Sequence, residues 1–295
     1  MRWLKGALSL LSIMGMLVSG ATVAAAPQTS LKVYIDGKRQ ENVLQVNGRT
    51  MVQLKAYNDP EKLTYTYEAS SKSVVIQYTE KNRIVRLKEG ASTAEVNGKS
   101  VKLDAPAIIK EGRTYLPLRF LAETLGGAVT YNKDTNQVIV RTPSGQENYK
   151  VLMSGDLDKA REAALRIPNI FNDKEIAASG EGFTFTYVFP KGEALRYQIQ
   201  YKQLVRYVEI NGDGLSIVKW QRDNTGKNGE SGKEPAKLNE AVFYEDNLML
   251  EKYSYGTIDS KGVRTEMGVV DYNVYKEYKG TLIVAIDGEQ RIDRK

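Results

Sequence analysis

Between Val96 and Arg141 the chain is punctuated by residue pairs that tolerate positive φ, and their spacing leaves little freedom in what the segment can become. Asn97-Gly98 and Glu111-Gly112 flank Val101, Leu103, Ala107, Ile108 and Ile109, short apolar stretches that read as two antiparallel strands. Thr114 to Leu118 then alternates Tyr115 against Leu116 and Leu118. Pro117 stands where its fixed φ suits the first helical position, and Leu118, Leu121, Ala122 and Leu125 follow at helical spacing. Gly126-Gly127 supplies a left-handed cap that ends so short a helix. Val129 and Tyr131, a turn over Asn132 to Asn136, and Val138-Ile139-Val140 close the pattern with a hairpin, so the spacing predicts a strand, strand, helix, strand unit.

A weaker copy precedes it. From Gly48-Arg49-Thr50 to Gly112-Arg113-Thr114 the offset is 64, and at the same offset Val52, Leu54, Tyr67 and Val74 to Ile76 correspond to Leu116, Leu118, Tyr131 and Val138 to Val140. The helix signal is missing from the first copy, where Asn58, Asp59 and Pro60 make Lys55 to Pro60 a turn or a single helical turn. Two copies are too few for an open solenoid, so residues 31–142 read as one domain of two related β-rich halves with a short helix. The carrying residues are Val96-Asn97-Gly98, Gly112 to Arg119, Gly126-Gly127 and Tyr131 to Val140. In them the segment closely resembles the copper amine oxidase-like N-terminal, or stalk, domain of proteins secreted by Gram-positive bacteria.

What that resemblance implies is a stalk, remote from the metal and cofactor of the amine oxidases. The chain contains no histidine and no cysteine. Copper and zinc sites depend on imidazole and thiolate, so neither a metal centre nor any other cofactor is expected. The same lack removes Ser-His-Asp and Cys-His nucleophiles, and no catalytic residue is assigned. Arg2 and Lys5, the apolar run from Ala7 to Val18, and Val23-Ala24-Ala25 read as a signal peptide over residues 1–25. The expected product is a secreted, extracellular chain, cell-wall associated or free, without a lipoprotein cysteine and with no membrane span after cleavage. Its net charge of +6 is not gathered into the dense basic stripe that nucleic acid would need.

The second half, residues 148–295, matches no recognisable family. Thr142-Pro143-Ser144-Gly145-Gln146 reads as a polar linker, followed by an amphipathic helix from Asp156 to Ile167 that Pro168 terminates. Phe183, Phe185, Tyr187 and Phe189 alternate with polar residues as one aromatic strand face. Further strands are expected over Leu195 to Ile210, Leu215 to Gln221, Phe243 to Tyr255, Val263 to Tyr278 and Thr281 to Ile286, and Asn211-Gly212-Asp213-Gly214 makes a hairpin turn. The fold class is therefore α+β, with a second domain of one helix on an antiparallel β-meander. Arg222 to Glu240 is expected to be a surface loop, and no calcium-loop spacing surrounds Asp213 or Asp223.

Tyr197, Tyr201, Trp220, Tyr253 and Tyr255 are the candidate ligand-binding residues, an aromatic platform for a cell-wall polymer, a glycan or another envelope protein. The function expected on this basis is that of a non-catalytic exported envelope or matrix protein, not an enzyme. The competing reading is a secreted hydrolase acting on cell-wall or other polysaccharide through carboxylates drawn from Glu209, Asp213, Glu245, Glu251 and Glu266.

Overall fold

The structure is a computed structural model that describes residues 30–275 and 281–294; the signal peptide expected over residues 1–25, and Tyr278, lie outside the described residues. Leu31 to Lys295 forms one compact unit. Its first part opens with β1 (Lys32–Ile35), β2 (Lys38–Gln40), β3 (Val43–Val46) and β4 (Arg49–Gln53), followed by a 3-10 turn at Leu54–Ala56. Then come β5 (Leu63–Glu68), β6 (Ser73–Tyr78), β7 (Arg83–Lys88), β8 (Thr93–Val96), β9 (Lys99–Lys102), β10 (Ile108–Lys110) and β11 (Arg113–Pro117). Helix α1 (Leu118–Leu125), β12 (Ala128–Asn132) and β13 (Gln137–Arg141) complete it.

The repeat read from the sequence is a structural repeat. β4 and β11 pair antiparallel with Val52 opposite Leu116, two residues that occupy the same place in their copies, so the halves meet about a local two-fold. The single turn at Leu54–Ala56 stands where α1 stands in the second copy, as Asn58 to Pro60 dictate. Turns match as well: Asp36-Gly37 between β1 and β2, and Asn97-Gly98 between β8 and β9, all have positive φ, the geometry that fits the twist of a two-residue hairpin.

Val96 to Arg141 does not stay together as one sheet. β8 and β9 end a five-stranded sheet ordered β5-β6-β7-β8-β9; β10 and β11 join β4 and β3; and β12 and β13 take up β1, in parallel, and β2. Strands of three to five residues bury too little apolar surface as isolated hairpins, so each recruits partners from the other half. The shared core holds Val33, Val52, Ile76, Val85, Leu116, Leu121 and Val140. Within α1 the buried positions are Leu118, Leu121, Ala122 and Leu125, joined by Phe120, and Gly126 at φ +83 is the left-handed cap, while Pro117 sits one residue before its expected place, as the N-cap.

The expected linker at Thr142 to Gln146 is instead helix. Pro143 begins α2 (Pro143–Leu152), the Thr142 side chain accepts from Gly145 N, and α3 (Leu157–Leu165) follows with Asp156 as its N-cap. The composition misled because Pro and Gly read as breakers, yet Pro at the first helical position is favourable. The second part thus has two helices over its sheet, not one. Its strands are β14 (Asn169–Phe171), β15 (Thr184–Pro190), β16 (Arg196–Tyr201), β17 (Leu204–Ile210), β18 (Ser216–Asp223), β19 (Glu230–Gly232), β20 (Ala241–Asn247), β21 (Lys252–Ile258) and β22 (Arg264–Asp271). They form one nine-stranded sheet ordered β14-β18-β17-β16-β15-β20-β21-β22, with β19 on β18. The helices cover one face, where Leu152, Ala163, Ala164, Phe189, Tyr197, Val208 and Tyr244 make the second core.

Thr281 to Ile286 is not a strand. It is irregular backbone that buries Leu282, Ile283 and Ile286, and Tyr244 Oη donates to Val284 O. The molecule is β-rich, consistent with an α+β class, and has three helices among the described residues. No helix among those residues is long and apolar enough to cross a membrane.

Candidate binding groove

A cleft of ≈ 780 Å³ lies where β13, α2, α3 and the β17–β18 turn converge. Several of its polar groups hold those elements together. Asp36 accepts from Thr142 N (2.9 Å) and Thr142 Oγ1 (2.7 Å), and Asp59 accepts from Ser144 N and Oγ in the same way. Burial pushes the Asp36 carboxyl above its ordinary range, against the lowering effect of the Thr142 hydrogen bonds. Arg141 stacks its guanidinium 3.6 Å from the Tyr149 ring centroid and donates to Asp213 O at 2.6 Å, while Tyr149 Oη donates to Gly212 O. Every one of these contacts joins two segments of the chain.

The five candidate aromatic residues do not share an exposed face. Tyr197 is 1% exposed in the core beneath the helices, where burial pushes its hydroxyl up to about 12, and half-buried Tyr255 packs against the same core. Trp220 lies on the opposite face. Val208 pairs with Val218 but Tyr207 pairs with Trp220, so Lys219 is an extra residue in β18 and turns Trp220 away from the side that Val218 occupies. There it is 3% exposed and donates Nε1 to Glu230. Tyr201 stacks on Phe185 with ring centroids 4.0 Å apart, and Tyr253, buried, tilts against Tyr272. Their rings serve the sheet's own packing, the ordinary fate of large aromatic surfaces in a two-layer fold.

The carboxylates of the hydrolase reading are scattered too. Glu209 accepts from Tyr207 Oη, Asp213 accepts from Asn132 Nδ2, and Glu251 occupies the β20–β21 turn. Only Glu245 and Glu266 line one groove. Glu245 is saturated there: it accepts from Thr186 Oγ1 and Ser254 Oγ, and Arg264 lies 2.9 Å from it while stacking over Phe243. Among the described residues no three carboxylates gather into a metal-binding group.

This groove, ≈ 600 Å³, runs across the sheet face away from the helices. Cross-strand register builds it: Gln200 stands opposite Thr186, Thr186 opposite Glu245, Glu245 opposite Ser254, and Ser254 opposite Val269, a mostly polar stripe over five strands. Lys202 and Lys252 flank the stripe, and Phe183 and Leu250 give it an apolar end. Such an array of hydroxyl, amide and ammonium groups can hydrogen-bond a polar extended ligand; it presents no activated nucleophile. Sequence reasoning missed it by following the aromatic face of β15, when the signal lay in the alternate residues, Thr184 and Thr186.

Comparison with curated proteins gives no match to this chain, and comparison with solved structures gives none either. Comparison with protein families gives a match that covers the two-fold part and stops before α2: residues 34–140 match the copper amine oxidase N-terminal domain.

Proposed function

We propose that the chain is an exported, non-catalytic envelope or matrix protein in which the N-terminal domain serves as a stalk and the second part carries a binding surface. The observation that supports this most is the state of the carboxylates. Asp36 in the first cleft and Glu245 in the sheet groove each accept hydrogen bonds from the protein's own groups, as Asp59 does beneath α2, which positions these three for structure and not for proton transfer. The groove across β15, β16, β20, β21 and β22 is the part of the surface that suits a polar polymer of the cell wall.

Co-sedimentation of the secreted chain with purified Gram-positive cell wall tests the reading. The native chain should pellet with the wall, and a Lys202→Glu, Lys252→Glu double variant should stay largely in solution. Equal pelleting of the two would dismiss the groove, and release of reducing sugar from the wall would favour the hydrolase. The same secreted material should begin at or near Ala26 by mass spectrometry; retention of Met1 would contradict export through cleavage after Ala25.

A further inference from the structure

Among the described residues three aromatic side chains are exposed: Tyr67 (55%), Tyr131 (52%) and Phe183. Phe183 belongs to the groove already described. Tyr67 and Tyr131 hold the same place in the two halves of the N-terminal domain, and their backbone settings match, although Tyr131 Oη alone of the two donates to the turn, to Asn136 Oδ1. Each lies on an edge strand, β5 of the five-stranded sheet and β12 of its four-stranded counterpart. Each stands opposite a valine, Val74 or Val138, on the partner strand. Each hairpin then reverses through a left-handed residue, Lys72 at φ +49 or Asn136 at φ +50.

A tyrosine is a good strand residue, and one exposed ring at a sheet edge asks for no explanation. Two at equivalent places do, because the turns beside them have diverged, although the neighbouring Thr66 and Thr130 are the same. Glu68, Ala69 and Ser70 in the first copy are Asn132, Lys133 and Asp134 in the second. A charged ligand would therefore meet different partners at the two positions. What the positions share is an exposed tyrosine ring opposite a valine on the partner strand, and the negative face of a ring attracts the weakly positive C–H array on one side of a pyranose.

We infer that Tyr67 and Tyr131 form two equivalent binding sites for sugar rings of a neutral polysaccharide, one on each half of the N-terminal domain. A ligand that repeats the same unit is the natural occupant of a site that the fold itself repeats, and engagement of both rings by one polymer raises avidity over either alone. The inference is independent of the sheet groove, since it places recognition on the part of the molecule otherwise read as a spacer.

Titration calorimetry of the full chain with two probes, the β-1,4-linked hexamers of glucose and of N-acetylglucosamine, tests it. At least one hexamer should bind at two sites per chain. Tyr67→Ala or Tyr131→Ala should reduce this to one site and the double variant should abolish it, whereas Phe at both positions should retain both sites, because the ring face is what binds. Lys159→Ala, an exposed helix position outside the groove and both hairpins, should leave the stoichiometry unchanged, and the groove is tested on whole cell wall by its own double variant, so failure of the groove reading is separable from failure of this one. Absence of binding to both hexamers, or two sites surviving either alanine substitution, overturns the inference. Near-ultraviolet circular dichroism of each variant, which should match the native chain's away from the lost ring, verifies that an exposed position was changed without unfolding the sheet.

Discussion

At the scale of single residues, adjacent glycines do different work. Gly126 has φ +83 and ends α1, whereas Gly127 lies outside the positive range but sits so close to the Arg141 carbonyl and the Tyr57 hydroxyl that no Cβ fits there. Gly126→Val should therefore cost about 1–3 kcal/mol through backbone strain. Gly127→Ala should cost a comparable amount through overpacking, about 1–3 kcal/mol. Lys133→Ala on the β12–β13 turn should stay within about 0.5 kcal/mol. Urea midpoints of the three variants test this, and unchanged midpoints for both glycine variants would remove the cap. Asp223 offers a prediction in pH. Its buried carboxylate accepts from Ser179 Oγ, Thr225 N and Oγ1, and Asn228 N, which together hold its pKa down at about 2. The folded state binds this proton less readily than the unfolded chain, so the contribution is complete above the ordinary carboxylate range of about 4 and is lost as the pH falls towards 2. Asp223→Asn should flatten that part of the stability curve; an identical slope in both proteins would show that the carboxylate does not contribute it.

At the scale of elements, α2 is the piece whose role changed most between sequence and structure. It contributes few apolar residues inward, Pro143 and Leu152 being the buried ones. Its first turn is fixed by carboxylates from a distant part of the chain, Asp36 and Asp59, which lie where the unpaired N–H groups and the positive end of the helix dipole favour negative charge. The N-terminal domain is expected to fold by itself, and the helix then decides how well. A fragment of residues 31–142 should unfold cooperatively, and one of residues 31–153 should melt several degrees higher, because it restores the Ser144 partner to buried Asp59, whose loss costs about 1–3 kcal/mol. Coincident melting curves would mean that α2 is indifferent to the domain. The repeat elements were legible in sequence because a left-handed turn such as Asn97-Gly98 is specified by its own two residues. The support of α2's first turn was not, since beyond the local Thr142 cap it comes from Asp36 and Asp59, 106 residues from Thr142 and 85 from Ser144.

At the scale of the whole molecule, the irregular segment after residue 280 ties the second part together. Glu289 accepts from Arg161 through both oxygens, at 2.7 and 2.9 Å, with side-chain exposures of 0% for the arginine and 3% for the glutamate. Arg291 donates to Leu152 O and Ser154 O, and Asp293 accepts from the N–H groups of Ala194 and Leu195. Glu289→Gln leaves the Arg161 charge buried without its counter-ion and should cost about 3–5 kcal/mol, read as a lower denaturation midpoint; a cost below about 1 kcal/mol would mean that water reaches the guanidinium. Nothing in the sequence marks Arg161 as internal, because burial of an arginine becomes tolerable only when tertiary structure brings a carboxylate to it. The sequence by itself determined the two-fold domain, the α1 hairpin unit and the hairpin turns, since each depends on local conformational preference and on periodicity that repeats within the chain. Tertiary structure alone decided which hairpins share a sheet, the parallel entry of β1 beside β13, the burial of Tyr197, Trp220 and Tyr253, and the exposure of Tyr67 and Tyr131. The reason is physical: the face on which a strand residue falls is fixed by register and bulges, as Lys219 shows for Trp220, and register is set by partners remote in sequence.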